Sequence, residues 1–204
     1  MHTITAVILA GGAGTRVGGR DKGLIEHEGL PLVEHVRRRL APQVTSVWIS
    51  ANRNLERYSQ YGERVLPDER EVHAGPRQGE LLGRVERGLH AGPLAGIATA
   101  LAACESEFLL TVPVDSLEFP DDLARRLLEA MDSAEVSIAV ANDGAQRQPL
   151  FALYRRELAP AARGAARSED NGVWRFQDRH GAREVAFEGA RFENLNTLSA
   201  SDDT

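Results

Sequence analysis

The sequence predicts an α/β fold: a mostly parallel sheet with helices on both faces and one antiparallel strand. Three observations carry this. Short apolar runs alternate along the chain with segments whose apolar residues recur at helical spacing. The first run, Ile4–Leu9, is apolar at nearly every position and stops in a glycine-rich loop, the pattern of a strand buried on both faces. Finally, Asn142-Asp143-Gly144 reads as a turn that sends residues 149–154 back as a strand, which supplies the antiparallel member.

The elements follow in order. After the strand Ile4–Leu9, Leu32, Val33, Val36 and Leu40 mark a helix behind Pro31, a residue suited to a first turn. Residues 47–51 form a second strand and 65–66 a short third. Leu94, Ile97, Ala98 and Leu101 make an apolar helix face behind Pro93. Residues 108–112 are a strongly apolar fourth strand that ends at Pro113-Val114-Asp115. Leu123, Leu127 and Met131 mark a helix whose start carries Asp121 and Asp122, charges suited to a helix N-terminus. Residues 136–141 are a fifth strand, 155–180 are helical in pieces, and 191–197 form a last extended segment before a frayed tail at 198–204. Residues 69–92 break the rhythm. They lack sustained periodicity, and His73-Ala74-Gly75-Pro76 recurs in them as His90-Ala91-Gly92-Pro93, so a mobile lid is expected there. Its histidines read as solvated loop residues, since no third metal ligand is placed beside them.

Composition narrows the function. At 204 residues the chain suits a single domain, residues 1–204. A net charge of −6 argues against a nucleic-acid surface, which needs a basic excess. No apolar run reaches the length of a membrane span, the first strand follows Met1-His2-Thr3 without room for a signal peptide, and Cys104 is the single cysteine. The expectation is a cytoplasmic protein with no nucleic-acid partner and no membrane partner.

The loop after the first strand is the most specific feature. In Leu9-Ala10-Gly11-Gly12-Ala13-Gly14-Thr15-Arg16, followed by Asp21-Lys22-Gly23, the glycines let backbone N–H groups approach an anion, and Arg16, Arg20 and Lys22 supply charge. The reading is a polyphosphate cradle at the carboxyl end of a strand, where open α/β sheets bind ligands. Two familiar phosphate loops do not fit. Val17 stands where the dinucleotide fingerprint needs its third glycine, and Arg20-Asp21 stands where a P-loop needs Lys-Ser/Thr. A second site is Asp115, a carboxylate just beyond a buried strand and well placed to hold Mg²⁺ together with phosphate oxygens.

These motifs resemble the nucleotidyltransferase superfamily, and the resemblance narrows further. Leu9-Ala10-Gly11-Gly12, Asp21-Lys22-Gly23, Ala51-Asn52-Arg53, Gly92-Pro93-Leu94-Ala95-Gly96, Pro113-Val114-Asp115 and Asn194-Leu195-Asn196-Thr197 stand in the order found in molybdenum cofactor guanylyltransferases. The resemblance covers nearly the whole chain. It implies a Rossmann-like nucleotidyltransferase fold and transfer of GMP from GTP to molybdenum-molybdopterin, with pyrophosphate released. It also implies that Leu9, Ala10, Gly11, Gly12, Lys22, Ser50, Asn52, Asp68 and Asp115 bind GTP, and that Arg16, Lys22 and Asp115 are the catalytic groups. Asp115 would bind Mg²⁺, the implied cofactor, and Asn194 and Asn196 would face the pterin. The nucleotide half would span about 1–115 and the acceptor half about 116–197. Besides GTP and molybdenum-molybdopterin, molybdoenzymes or their chaperones are candidate partners. Three departures stand out: Ser50 replaces a frequent asparagine, the stretch from Asp68 to Pro93 is long, and Val114-Asp115-Ser116 replaces a frequent Cys-Asp-Thr.

Two other readings remain open from the sequence. One is a cytidylyltransferase or sugar-phosphate nucleotidyltransferase of the same fold, against which the Gly11-Gly12 pair favours guanine. The other is a non-catalytic carrier of the pterin cofactor, disfavoured by the retained Lys22 and Asp115. Trp48 and Trp174 read as packing residues and Arg37-Arg38-Arg39 as a solvated helix face. Arg155-Arg156 is either an acceptor-phosphate contact or plain surface.

Overall fold

The computed structural model describes residues 2–11, 21–68 and 92–194. The elements run β1 (Ile4–Leu9), β2 (Glu26–His27), β3 (Leu30–Pro31), α1 (Leu32–Leu40), β4 (Ser46–Ser50), α2 (Leu55–Tyr58), β5 (Arg64–Leu66), α3 (Gly92–Ala103), β6 (Phe108–Pro113), β7 (Ser116–Glu118), α4 (Leu123–Glu129), β8 (Ile138–Asn142), β9 (Arg147–Arg155), α5 (Ala159–Ala166), α6 (Val173–Arg179), β10 (Arg183–Ala186) and β11 (Glu193–Asn194). Seven strands form one sheet in the order β10-β8-β9-β6-β1-β4-β5. Pairing is parallel throughout β6-β1-β4-β5 and between β10 and β8, and antiparallel on both sides of β9. This is the predicted α/β class, with β9 as the antiparallel strand.

Strand β1 lies at the centre because its sequence suits no other place. Ala6, Val7 and Ile8 are wholly buried, and alternate residues point to opposite layers. Ala6 and Ile8 pack with Val33, Val36 and Leu40 of α1 and Leu123 and Leu127 of α4. Val7 packs with Leu94, Ile97 and Leu101 of α3 and, through Ala152 and Tyr154 of β9, with Ala162 and Phe176 of α5 and α6. Each apolar helix stripe expected from the sequence therefore meets one face of the sheet. Among the described residues no helix is long and apolar enough to cross a membrane.

Several expectations shift in detail. Pro31 does not enter the first turn of α1; it closes the small β2–β3 hairpin and caps the helix in extended conformation. The described part of the extended segment near the C-terminus, β11, lies outside the main sheet. It pairs antiparallel with β7, placing Asn194 opposite Ser116. Trp174 is 47 % exposed and so is not a core residue; the Arg147 guanidinium lies 4.5 Å from its ring centre. The expected lid at 69–92 lies outside the described residues except at Gly92, which opens α3, and the tail 198–204 lies wholly outside them. Cys104 is buried, and desolvation raises its thiol pKa.

Candidate functional site

Four parallel strands bring their carboxyl ends to one edge, and each is followed within two residues by a predicted site residue. Strand β1 leads to Gly11, β4 to Asn52, β5 to Asp68 and β6 to Asp115. Hydrogen bonds seal the edge: Ala10 N–H donates to the Ser50 carbonyl at 2.8 Å, Ala51 N–H to that of Leu66 at 3.0 Å, and Val114 N–H to that of Leu9 at 3.2 Å. From β1 the chain proceeds outward through β4 and β5, then returns to β6 on the other flank of β1. The gap between β1 and β6 is thus the topological switch point, the place where open α/β sheets bind ligands.

Lys22 and Asp115 straddle that gap. Lys22 stands in a single 3-10 turn, Lys22–Leu24, downstream of β1, and Asp115 in the tight turn between β6 and β7. Lys22 Nζ donates to Asp115 Oδ2 at 2.6 Å, with the side chains 23 % and 19 % exposed, so both charges remain within reach of a ligand in the cleft. A charge-assisted contact of this length in a partly desolvated cleft is strong, yet each partner can exchange it for a ligand of the right sign.

The other side of the site centres on Asp68. Its carboxylate accepts Asn52 Nδ2–H at 2.7 Å and the Ser50 hydroxyl at 3.3 Å, while its own backbone N–H donates to Asn52 Oδ1 at 2.9 Å. Ser50 fills the position of the family's frequent asparagine and still reaches the carboxylate. Gly11 faces the same group, since a Cβ there would lie 3.4 Å from Asn52 Nδ2 and 3.9 Å from Asp68 Oδ2. Helix α3 closes the layer from behind. A Cβ on Gly96 would fall 2.5 Å from the Ser50 hydroxyl and 3.3 Å from Asp68 Oδ1, so only glycine lets the helix approach this closely.

The predicted residues Leu9, Ala10, Gly11, Lys22, Ser50, Asn52, Asp68 and Asp115 therefore share the carboxyl edge of the central strands. Asn194 joins them through its backbone register: on β11 it stands opposite Ser116 of β7, the residue next to Asp115. Gly12, Arg16 and Asn196 lie outside the described residues. Arg155 does not belong to the site. It pairs with Phe108 at the opposite end of the sheet, where its guanidinium donates to the carbonyls of Met131, Ser133 and Val136. The run at 37–39 is only partly a solvated face: Arg37 and Arg38 grip the buried Glu34, and Arg39 donates to the Phe119 carbonyl and Asp121.

One cluster carries no signal in the sequence. The Asp21 carboxylate, beside Lys22, accepts the Tyr58 hydroxyl at 2.5 Å and Asn54 Nδ2–H at 2.9 Å, and Arg53 Nε lies 3.8 Å away. Tyr58 is wholly buried; burial and then the Asp21 carboxylate push its hydroxyl well above the usual tyrosine range, which keeps it a proton donor. A tyrosine at the end of a four-residue helix, 37 residues from its partner, leaves no local pattern to read.

As to a metal, no group of three or more His, Cys, Asp or Glu side chains forms a metal cluster among the described residues. The donor set at Asp115 is a single hard carboxylate facing the cleft, opposite a lysine. That fits Mg²⁺, which takes one or two carboxylates and completes its shell with substrate phosphates and water, and does not fit a metal caged by protein alone.

Comparison with known proteins gives a consistent picture. A family profile described as the MobA-like NTP transferase domain matches residues 6–185. The molybdenum cofactor guanylyltransferase of Shewanella putrefaciens is 37 % identical over 197 residues, covering 96 % of this chain and 92 % of that protein. That of Acidovorax ebreus is 39 % identical, covering 97 % and 93 %. Among solved structures, the molybdopterin-guanine dinucleotide biosynthesis protein A of Archaeoglobus fulgidus superposes with a TM-score of 0.66 at 19 % identity, over 90 % of this chain and 83 % of that one. Rv0371c of Mycobacterium tuberculosis, solved in complex with manganese, superposes with a TM-score of 0.68 at 16 % identity, over 99 % and 100 %. At these identities the two structures speak for the shared fold.

Proposed function

The chain belongs to the MobA-like NTP transferase family, alongside the molybdenum cofactor guanylyltransferases, and is a nucleotidyltransferase; from that premise we propose that it transfers GMP from GTP to the terminal phosphate of molybdenum-molybdopterin. The products are the guanine dinucleotide form of the cofactor and pyrophosphate. The observation that carries this reading is the pairing of Lys22 with Asp115 at 2.6 Å across the switch point of the sheet, beside a carboxylate, Asp68, already fixed by Ser50 and Asn52.

The residues divide the work. Asp68, held by Asn52 and Ser50, orients the nucleoside, and Gly11 leaves room for it through its missing side chain. Leu9, Ala10 and Gly11 contact the nucleotide through backbone groups, and Gly12 belongs to the same GTP-binding loop. A phosphate oxygen of the acceptor attacks the α-phosphorus of GTP in line; the new P–O bond forms as the bond to the β-phosphate breaks, and pyrophosphate departs with the electron pair. Such a transfer needs positioning and charge neutralisation more than a protein nucleophile. Lys22 and Arg16 stabilise the charge gathering on the departing pyrophosphate. Asp115 would hold Mg²⁺, which supplies further neutralisation of the triphosphate when bound.

The chain acts in this reading as one cytoplasmic domain, with about 1–115 holding the nucleotide and about 116–197 the acceptor. The antiparallel pairing of β11 with β7 supports the division, because it carries Asn194 to the turn bearing Asp115. Asn194→Ala and Asn196→Ala should each raise the KM for molybdopterin about tenfold, the loss of one hydrogen bond to a charged ligand, and leave GTP affinity within twofold. Loss of GTP affinity instead would put these residues in the nucleotide half. The activity itself is tested by turnover with molybdenum-molybdopterin and each of GTP, CTP, ATP and UTP. A preference for GTP is expected, while a preference for CTP would move the chain to the cytidylyl branch of the same fold.

A further inference from the structure

Lys22 can serve a triphosphate only if the turn that bears it is held still, and the structure holds that turn from one direction. The residue before it, Asp21, is tied to Tyr58 and Asn54. The residue after it, Gly23, is buried against the same tyrosine and against Val114, whose Cγ2 would lie 2.7 Å from a Cβ at that position. Within the turn, Leu24 N–H donates to the Asp21 carbonyl at 3.1 Å and Ile25 N–H to that of Lys22 at 3.1 Å. The Lys22 backbone is therefore clamped on both sides by contacts that converge on one buried phenol. The segment that supplies them, residues 52–58, also supplies Asn52, which fixes Asp68.

We propose that Asp21 and Tyr58 are positioning residues for phosphoryl transfer: the Tyr58 hydroxyl, through the Asp21 carboxylate, holds Lys22 at the phosphate end of the cleft, and residues 52–58 bracket the nucleoside end and the phosphate end into one rigid frame. This rests on the transferase reading. Neither Asp21 nor Tyr58 touches the substrate. The Asp21 carboxylate is 7 % exposed and already engaged by two donors, which leaves it to shape the turn and not to hold a ligand. Asn54 contributes from a left-handed backbone conformation, φ 53°, which asparagine tolerates better than most residues and which turns its amide toward Asp21.

The test uses the full-length protein with Tyr58→Phe, Asp21→Ala and Asp21→Asn, and measures binding of GTP and of GMP by calorimetry alongside kcat and KM. Phenylalanine keeps the buried ring and removes only the hydroxyl. Asparagine keeps an acceptor for Tyr58, and Asn54 can rotate its amide to match. Tyr58→Phe and Asp21→Ala should weaken GTP about tenfold and lower kcat by a similar factor, leaving GMP, which lacks the outer phosphates, within twofold; Asp21→Asn should stay within about threefold of the parent. Three results would overturn the proposal: Tyr58→Phe indistinguishable from the parent, GTP and GMP weakened alike, or Asp21→Asn as damaged as Asp21→Ala. Failure of the parent protein to transfer GMP to molybdopterin would instead count against the transferase reading, since the ratio of GTP to GMP affinity judges the clamp on its own.

Discussion

Two carboxylates stand at the same edge of the sheet and are held in opposite ways. Among the described residues, Asp68 is held by uncharged donors on short side chains, Asn52 and Ser50, with a reciprocal bond from its own backbone and a helix packed against it through Gly96. Asp115 meets the end of a long, flexible lysine across the switch point. The difference teaches what each end of the cleft is built for. Neutral, short-range clamps preorganise a recognition group and lose little side-chain entropy in doing so. A charge pair between groups that remain partly exposed can open when a ligand presents a better partner to each, so its strength is carried into the ligand complex.

If that contrast is right, substitutions at the charged end act on turnover and those at the neutral end act on affinity. The largest effect is expected for Asp115→Asn, which removes charge without volume. Turnover should fall on the order of 10³-fold, about 4 kcal/mol of transition-state stabilisation, with the melting temperature nearly unchanged. Activity within about tenfold of the parent would remove Asp115 from the chemistry. Lys22→Ala should cost about 10²-fold in transfer and weaken GTP while sparing GMP, a split that calorimetry reads directly. Asn52→Ala removes two bonds from the Asp68 clamp. It should raise the KM for GTP about tenfold, with kcat changed less, because a misplaced recognition group costs ground-state and transition-state binding alike. A fall in kcat matching that of Asp115→Asn would erase the contrast between the two ends.

The smallest effect on activity is expected away from the cleft. Glu34 on α1 is buried and gripped by Arg37 and Arg38; the Arg37 hydrogen bond outweighs desolvation and holds its pKa at about 2, below the ordinary 4.5. Because the folded-state value is the lower one, the stabilisation is complete above pH 4.5 and is lost as pH falls toward 2. Glu34→Gln should therefore destabilise by about 1–3 kcal/mol at neutral pH, with the gap to the parent narrowing as pH falls from 4.5 toward 2 and turnover unaffected. Denaturant unfolding at a series of pH values checks both the size and the window.

The main sheet, and the edge of it that gathers the candidate site residues, were legible because they rest on local pattern. Strand β1 is apolar on both faces, the alternation of strands with helices implies parallel pairing, and parallel pairing puts the residues after β1, β4, β5 and β6 on one edge. What stayed hidden lacks such a pattern. Strands β2, β3 and β7 have two or three residues each, too few to show a period. Strand β10 is an edge strand with three of its four residues exposed, so its sequence, Arg183-Glu184-Val185-Ala186, carries no apolar alternation. The Tyr58–Asp21 contact joins residues far apart in the chain. Trp174 resembles a core residue by composition and is instead paired with Arg147, which Asp178 and Glu184 hold at 2.5 and 2.7 Å.

In the proposed reaction the protein moves the α-phosphoryl group of GTP, as GMP, onto molybdenum-molybdopterin. Incubating the protein with molybdenum-molybdopterin, Mg²⁺ and GTP labelled at either the α- or the γ-phosphate tests it most directly. The expected result is α-label in the cofactor dinucleotide and γ-label in pyrophosphate, in equal amounts, with both reduced on the order of 10³-fold in Asp115→Asn. Gamma-label in the acceptor, or release of labelled inorganic phosphate without dinucleotide, would contradict it.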